Sequence, residues 1–365
     1  MDKTNIEQRV STMISLVKEK IVKIKKPINN FRFMEAGYKK GNDVPLFSDI
    51  NSVSFGREDF WGGKADSHAW FYKKITIPKA QKGIRLELSI KTDVRENEWD
   101  ASNPQFIVYF DKSSVQGADL NYTSVVLPDK DEVEVHVYAY TGTNLNNLPR
   151  IKFYADVIGV DEQAEKLYYD LKVPYDVMSF TDKNSKEYVD ILSSLNAALN
   201  LIDWRDDEKA RKSFIAADDY FEKEFYEKYC RKGSVKVKCV GHTHIDIGWL
   251  WTVKQTREKA QRSFFTVLEL MNRYPEYKFM SSQAPLYLAV KEEALDKYEE
   301  IKQRIKEGRW EAEGAMWVEA DCNLPSGESL VWQILYGKRF FKEEFGVESK
   351  TLWLPDVFGY SAALP

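Results

Sequence analysis

Between Gly241 and Trp249 the chain reads Gly-His-Thr-His-Ile-Asp-Ile-Gly-Trp, with His242, His244 and Asp246 at every second position. In extended backbone, residues two apart point the same way. The three side chains are therefore expected on one face. Imidazole and carboxylate together form a donor set that suits zinc or a similar divalent cation. Gly248 leaves room for a ligand to approach. An isolated histidine is more often a hydrogen-bonded structural residue. The spacing, and the position just after a predicted strand, favour the metal here. The chain holds only 4 His, so two in one motif concentrate half of its imidazoles.

A complete site needs a donor from another segment. Leu352-Trp-Leu-Pro-Asp-Val-Phe-Gly-Tyr360 offers Asp356, which follows an apolar stretch and a proline and precedes Gly359. One imidazole and two carboxylates would balance a divalent charge. The ordinary alternative for Asp356 is a turn or helix-cap residue. Two chemistries fit a metal beside carboxylates. In one, the metal activates a water that attacks an acyl carbon. In the other, a carboxylate attacks a sugar carbon while the metal holds sugar hydroxyls, as in retaining glycosidases whose two carboxyl groups stand about 5–5.5 Å apart. The residues alone leave both open.

The elements that would position these residues begin after Gly233. Strands are predicted over Val235–Val240, Lys278–Ser281, Trp310–Glu313 and Thr351–Leu354. Helices are predicted over Lys254–Asn272, Leu286–Lys306 and Glu328–Phe345, the last two ended by Gly308 and Gly346. Strand–helix alternation with short connections implies a parallel sheet. In such sheets functional residues gather at the carboxyl ends of strands. His242, His244 and Asp246 follow the first strand, Glu319, Asp321 and Asn323 the third, and Asp356 the fourth.

Earlier segments differ. Apolar residues at helical spacing predict a helix from Ile6 to Ile24. From Pro45 to Val160 short alternating runs predict strands over Phe71–Ile77, Ile84–Lys91, Phe106–Phe110, Val133–Tyr140 and Ile151–Ile158. Their period of two fits strands with one buried face, and their number suggests a β-sandwich. His68 and His136 are expected to be structural there. Glu162–Tyr229 reads as helical, interrupted at Pro174 and Thr181–Ser185. The fold class is thus multidomain α+β. A helical segment (1–30) is followed by a β-sandwich accessory domain (31–160), a helical connector (161–232) and the first part of a β/α barrel (233–365).

At the motif residues the sequence resembles glycoside hydrolase family 38. The resemblance runs through Val240–Trp251 (VGHTHIDIGWLW), Thr256–Ser263 (TREKAQRS), Tyr274–Gln283 (YPEYKFMSSQ), Gly308–Glu328 (GRWEAEGAMWVEADCNLPSGE) and Leu352–Pro365 (LWLPDVFGYSAALP). Trp61–Trp70 (WGGKADSHAW) is similar to the N-terminal region of the cytosolic-type members. The resemblance implies a (β/α)7 barrel and a retaining mechanism on α-mannosides. It implies that His244, Asp246 and Asp356 bind zinc, with cobalt as the alternative, and that Asp356 is also the nucleophile. Trp249 and Phe358 would flank the mannose ring, and the metal would grip two vicinal hydroxyls and help distort it. Asp321 would contact substrate. His242 matches no family ligand and is assigned behind the ligands, orienting Asp246 or His244. Where relatives usually carry Arg, this chain has Trp332. The family's acid/base carboxylate and a fourth zinc ligand lie beyond Pro365, so the chain as it stands is expected to be catalytically incomplete. The other classes weighed are a metal-dependent deacylase on a barrel and a non-catalytic carbohydrate-binding fragment.

Bulk properties agree. Charged residues make up 30% of the 365 and the net charge is -4, which gives no basis for nucleic acid or an acidic membrane surface as partner. No apolar run is long enough to span a bilayer. Three unpaired-looking cysteines, Cys230, Cys239 and Cys322, suit a reducing, cytoplasmic setting. Six of the 10 Trp follow residue 248, where a sugar site would use aromatic faces. Whether the protein forms a homo-oligomer stays open.

Overall fold

Phe71 has no exposed surface and sits among the rings of Phe33, Phe55, Trp61 and Phe153, the last stacked on it at 4.1 Å. These rings come from two layers of strands. The computed structural model describes residues 3–93, 104–142, 150–230, 236–360, 362 and 364. One layer is an antiparallel sheet in the order Val53–Phe55, Phe31–Ala36, His68–Thr76, Glu132–Tyr140, Gln105–Phe110, Ser113–Ala118. Trp61 and Phe153 belong to the other layer, where Phe60–Gly62 pairs with Arg150–Lys152 at the start of the strand Arg150–Asp161. Deleting a buried aromatic ring costs about 3–5 kcal/mol through lost transfer energy and the cavity left behind. Phe71→Ala is expected to destabilise this part of the chain by that amount in urea unfolding. A loss under about 1 kcal/mol would contradict the packing described.

Two compact units divide the chain. The first comprises Met1–Pro27, Pro78–Leu88 and Asp156–Val237 and the second Ile28–Ile77, Ser89–Ala155 and Lys238–Pro365. The residues expected as separate segments 1–30 and 161–232 thus fall largely in one unit. The strand-rich region and the C-terminal strand–helix region fall largely in the other.

In the first unit, helices Lys3–Glu19, Glu162–Met178, Lys186–Asn200 and Asp207–Phe221 bury Val10, Ile14, Leu167, Leu195 and Phe214. Asp161 caps the second helix by accepting from the Gln163 and Ala164 amides, and it pairs with Arg211 at 2.5 Å. Pro174 lies inside that helix, while the interruption expected at Thr181–Ser185 is a loop. The first helix stops at Glu19 instead of Ile24, and Val22–Ile28 is a strand. There Val22-Lys-Ile-Lys alternates β-branched and charged residues, a pattern that fits a pleated strand better than a helix.

In the second unit, the strand Glu132–Tyr140 alternates in burial only at its start. From Val135 onward both faces are buried. Trp70, Tyr109, Tyr138 and Tyr140 on the second face share a core with Ala260, Phe264 and Leu268 of the helix Val253–Arg273. The Tyr138 hydroxyl donates to Glu258 at 2.7 Å. Gly117 permits the close approach, since a Cβ there would stand 2.4 Å from the Arg262 carbonyl oxygen. His68 is buried, with Nδ1 2.6 Å from the Tyr138 hydroxyl and Nε2 2.9 Å from Asp66.

Three short parallel strands follow, Gly241–His242, Phe279–Ser281 and Trp310–Ala312, and Leu352 forms an isolated parallel bridge to Gly314. Helices Val253–Arg273, Ala284–Glu293, Leu295–Lys306 and Gly327–Phe345 separate or follow them. The first strand is shorter than the sequence predicts. Lys236–Val240 are exposed and unpaired in any sheet, and Val235 lies outside the described residues. The fourth expected strand reduces to the Leu352 bridge. The single helix expected over Leu286–Lys306 breaks at Ala294, whose φ of −155° and ψ of 70° are not helical. Among the described residues no helix is long and apolar enough to cross a membrane.

Candidate active site

The chain leaves regular strand pairing after His242, and of the residues that follow as far as Gly248 only Ile245 is buried, at 5% exposed, while its neighbours His244 and Asp246 are partly open. The apolar Ile245 side chain turns into the core, so its two neighbours turn out of it together. His244 Nε2 stands 3.3 Å from Asp246 Oδ1 and 3.5 Å from Asp356 Oδ2. Donor atoms of all three residues lie within 4.8 Å of one another. Asp356 reaches them from the Pro355–Asp356 turn after the Leu352 bridge, and half of its side chain is exposed.

On its other edge the His244 ring meets Glu319. Nδ1 and Oε2 are 2.5 Å apart, although the contact does not lie along the N–H direction. This carboxylate, its partial burial working the other way, and the nearby Asp246 together push the His244 imidazole up to about 9. The ring therefore carries a proton at neutral pH when no cation is present, and its charge offsets the carboxylates around it.

The backbone of the His244–Asp246 segment is held from below. The Asp246 carbonyl accepts from Thr256 Oγ1 at 2.9 Å and from the Trp251 indole N–H at 3.3 Å. The Gly248 amide donates to Thr256 Oγ1, and Gly248 adopts φ +83°, a conformation open to glycine at little cost. The Lys259 ammonium lies 4.5 Å over the Trp251 ring. From the second strand end, Gln283 donates to the Ile245 carbonyl at 2.9 Å and accepts from the Glu319 amide at 3.2 Å.

The other expected site residues are placed as follows. His242 does not hydrogen-bond to Asp246 or His244. Its Nδ1 faces the Met280 carbonyl at 3.1 Å and its Nε2 accepts from the Trp353 indole at 3.3 Å. Trp249 is half exposed, with its ring edge-on to Trp251, and Phe358 is 91% exposed. Asp321 turns back on its own backbone. It accepts from the Asn323 and Leu324 amides at 2.7 and 2.8 Å, which hold its carboxyl below the usual range. It is not among the residues grouped with His244. Trp332 stacks on Tyr336 at 5.3 Å on the exposed face of its helix.

The donors present fit a divalent cation. Around a tetrahedral zinc with bonds of about 2.0–2.1 Å, ligand atoms stand roughly 3.4 Å apart, the scale of the two contacts made by His244 Nε2. One imidazole and two carboxylates match both the charge and the hardness of such an ion.

Residues 234–365 match the family described as glycosyl hydrolases family 38 N-terminal domain. The chain belongs to this family. Three relatives show how the family 38 likeness extends along the chain. Alpha-mannosidase G of Dictyostelium discoideum is 39% identical over 211 residues, covering 58% of this chain and 19% of that protein. Alpha-mannosidase of Saccharomyces cerevisiae is 30% identical over 83% of this chain and 30% of its own length. Human alpha-mannosidase 2C1 is 31% identical over 81% of this chain and 29% of its own length. The likeness to the last two thus reaches well before residue 234. The chain spans less than a third of the length of these relatives.

Within the family 38 segment, four residues that position the site are given no role by the sequence: Thr256, Ser282, Gln283 and Glu319. All four lie inside the motif stretches quoted above, but their partners are set by how the strand ends meet.

Proposed function

We propose that this chain supplies the first part of the catalytic domain of a retaining, metal-dependent α-mannosidase built on a (β/α)7 barrel. The observation that carries the reading is the meeting of His244, Asp246 and Asp356 from two separate strand ends. The relatives named above are mannosidases, which supports an α-mannoside glycan as the substrate. The unpaired Cys230, Cys239 and Cys322 support a cytoplasmic setting.

In this reading a bound zinc supplies Lewis-acid stabilisation at the sugar hydroxyls. Asp356 lies open on the solvent side, where a carboxylate oxygen can reach the anomeric carbon. Its attack forms a bond from oxygen to that carbon as the bond to the departing sugar breaks. The departing oxygen takes a proton from a carboxylic acid that the family resemblance places further along the whole protein. Water then attacks the same carbon, giving its proton to that carboxylate, and Asp356 leaves. Two displacements retain the anomeric configuration. The exposed faces of Trp249 and Phe358 offer apolar surface for the C–H side of a sugar ring. Thr256 and Trp251 keep Asp246 in place through its carbonyl.

The test is hydrolysis of a chromogenic α-mannoside by the full-length protein, with and without a chelator. Turnover that the chelator stops and zinc restores is expected. Turnover indifferent to chelation would remove the metal from the reading. Absence of turnover with zinc bound would remove the mannosidase reading.

A further inference from the structure

Glu319 is a buried carboxylate that the reaction above does not use. Its side chain is only 4% exposed, and carboxylates are seldom buried so far without a partner. It has two. Oε1 accepts a short hydrogen bond from Ser282, and Oε2 touches Nδ1 of His244. Neither Oε2 nor His244 Nδ1 has another polar partner among the described residues. The Glu319 backbone is pinned as well, because its amide donates to Gln283, which also holds the Ile245 carbonyl. Gln283 takes φ +66°, a left-handed conformation that non-glycine residues rarely adopt, which marks the position as one the surrounding structure enforces. The carboxylate is therefore placed by three strand ends at once.

Donor atoms of His242, His244 and Glu319 also lie within 4.8 Å of one another, so what sets Glu319 apart is the nitrogen it meets. It lies at Nδ1 of His244, while Nε2 faces Asp246 and Asp356. Once the ring is neutral, as a cation requires, the Glu319 charge beside Nδ1 favours the remaining proton on that nitrogen and leaves the Nε2 lone pair free. We propose that Glu319 is a positioning residue that sets His244 as an Nε2 donor, tuning the affinity of the site for a divalent cation without binding it. The proposal rests on the reading of His244, Asp246 and Asp356 as a cation site.

Zinc affinity of the full-length protein, measured by competition with a chromophoric chelator alongside thermal unfolding of the metal-free protein, tests it. Glu319→Gln keeps the volume and the bond from Ser282 but weakens the hold on Nδ1. It is expected to lower zinc affinity about 10–100-fold with little change in melting temperature. In a His244→Ala background the same change should cost nothing further, because its route runs through the imidazole. Unchanged affinity in Glu319→Gln, with His244→Ala still impaired, overturns the proposal. A full additional loss in the His244→Ala background also overturns it and makes Glu319 a ligand. If His244→Ala itself binds zinc normally, the cation site is what fails. Should Glu319→Gln not fold, Ser282→Ala loosens the same carboxylate. A several-fold weaker affinity is then expected, and wild-type affinity would be fatal to the idea.

Discussion

Asp356→Ala in the full-length protein is expected to abolish hydrolysis of an α-mannoside, with kcat falling at least roughly 10⁴-fold. The substitution removes the atom proposed to form the covalent bond and one of the two carboxylates facing His244 Nε2 at the same time. The two roles can be separated. Asp356→Asn keeps an oxygen that can still face a cation but is a poor nucleophile. It should retain more zinc than the alanine variant while turning over no faster. The fold should survive both changes, because half of the Asp356 side chain is already in solvent. The direct check is mass spectrometry of the wild-type protein quenched with a slow substrate, which should find a hexose on the peptide that contains Asp356. Loss of less than tenfold in Asp356→Ala, or a hexose on another carboxylate, would move the nucleophile elsewhere.

Much of this candidate site is legible in the sequence, and the reasons differ from residue to residue. The alternation His-Thr-His-Ile-Asp points two of its three candidate ligands to one place. The reason is that Ile245 needs burial and drags its neighbours the other way. His242 escaped the rule because regular pairing ends at that residue, and its ring found the Met280 carbonyl and the Trp353 indole instead. Asp356 was readable from its place after an apolar stretch, although that stretch forms a single bridge and not a full strand. Glu319 could be located at a strand end but not given a partner. Its contact depends on three strand ends meeting, and nothing in local spacing encodes that. The same limit governs the fold. Alternation in Glu132–Tyr140 promised one wet face, and a helix more than a hundred residues later covers it. The break at Ala294 falls on a residue with the best helix propensity, in a stretch free of glycine and proline. Around it, Arg257, Gln261 and Tyr38 all bond to Glu293, tertiary contacts that periodicity does not register.

The histidines give the second large effect, and they separate binding from folding. His244→Ala removes the only imidazole facing Asp246 and Asp356, so zinc affinity should fall at least roughly 100-fold, beyond the range typical of residues that merely orient a ligand. His242→Ala removes a ring whose two nitrogens serve Met280 and Trp353. It should lower the melting temperature while leaving zinc affinity within a few-fold of wild type. The pH dependence supplies an independent signature. In the metal-free protein the His244 imidazole is held up to about 9, above its value of about 6.5 in an unfolded chain. Its contribution to stability is therefore present below about pH 6.5 and lost as pH rises through about 9. A cation needs the neutral ring, so below about pH 9 each ion bound must displace a proton. Apparent zinc affinity should then rise with pH, with His244 contributing up to about tenfold per unit and levelling off near 9, and His244→Ala should erase that contribution. Chelator competition between pH 6 and 9 measures both slopes. Equal slopes in the two proteins would mean that the proton released on binding comes from another group and that His244 is not the nitrogen ligand.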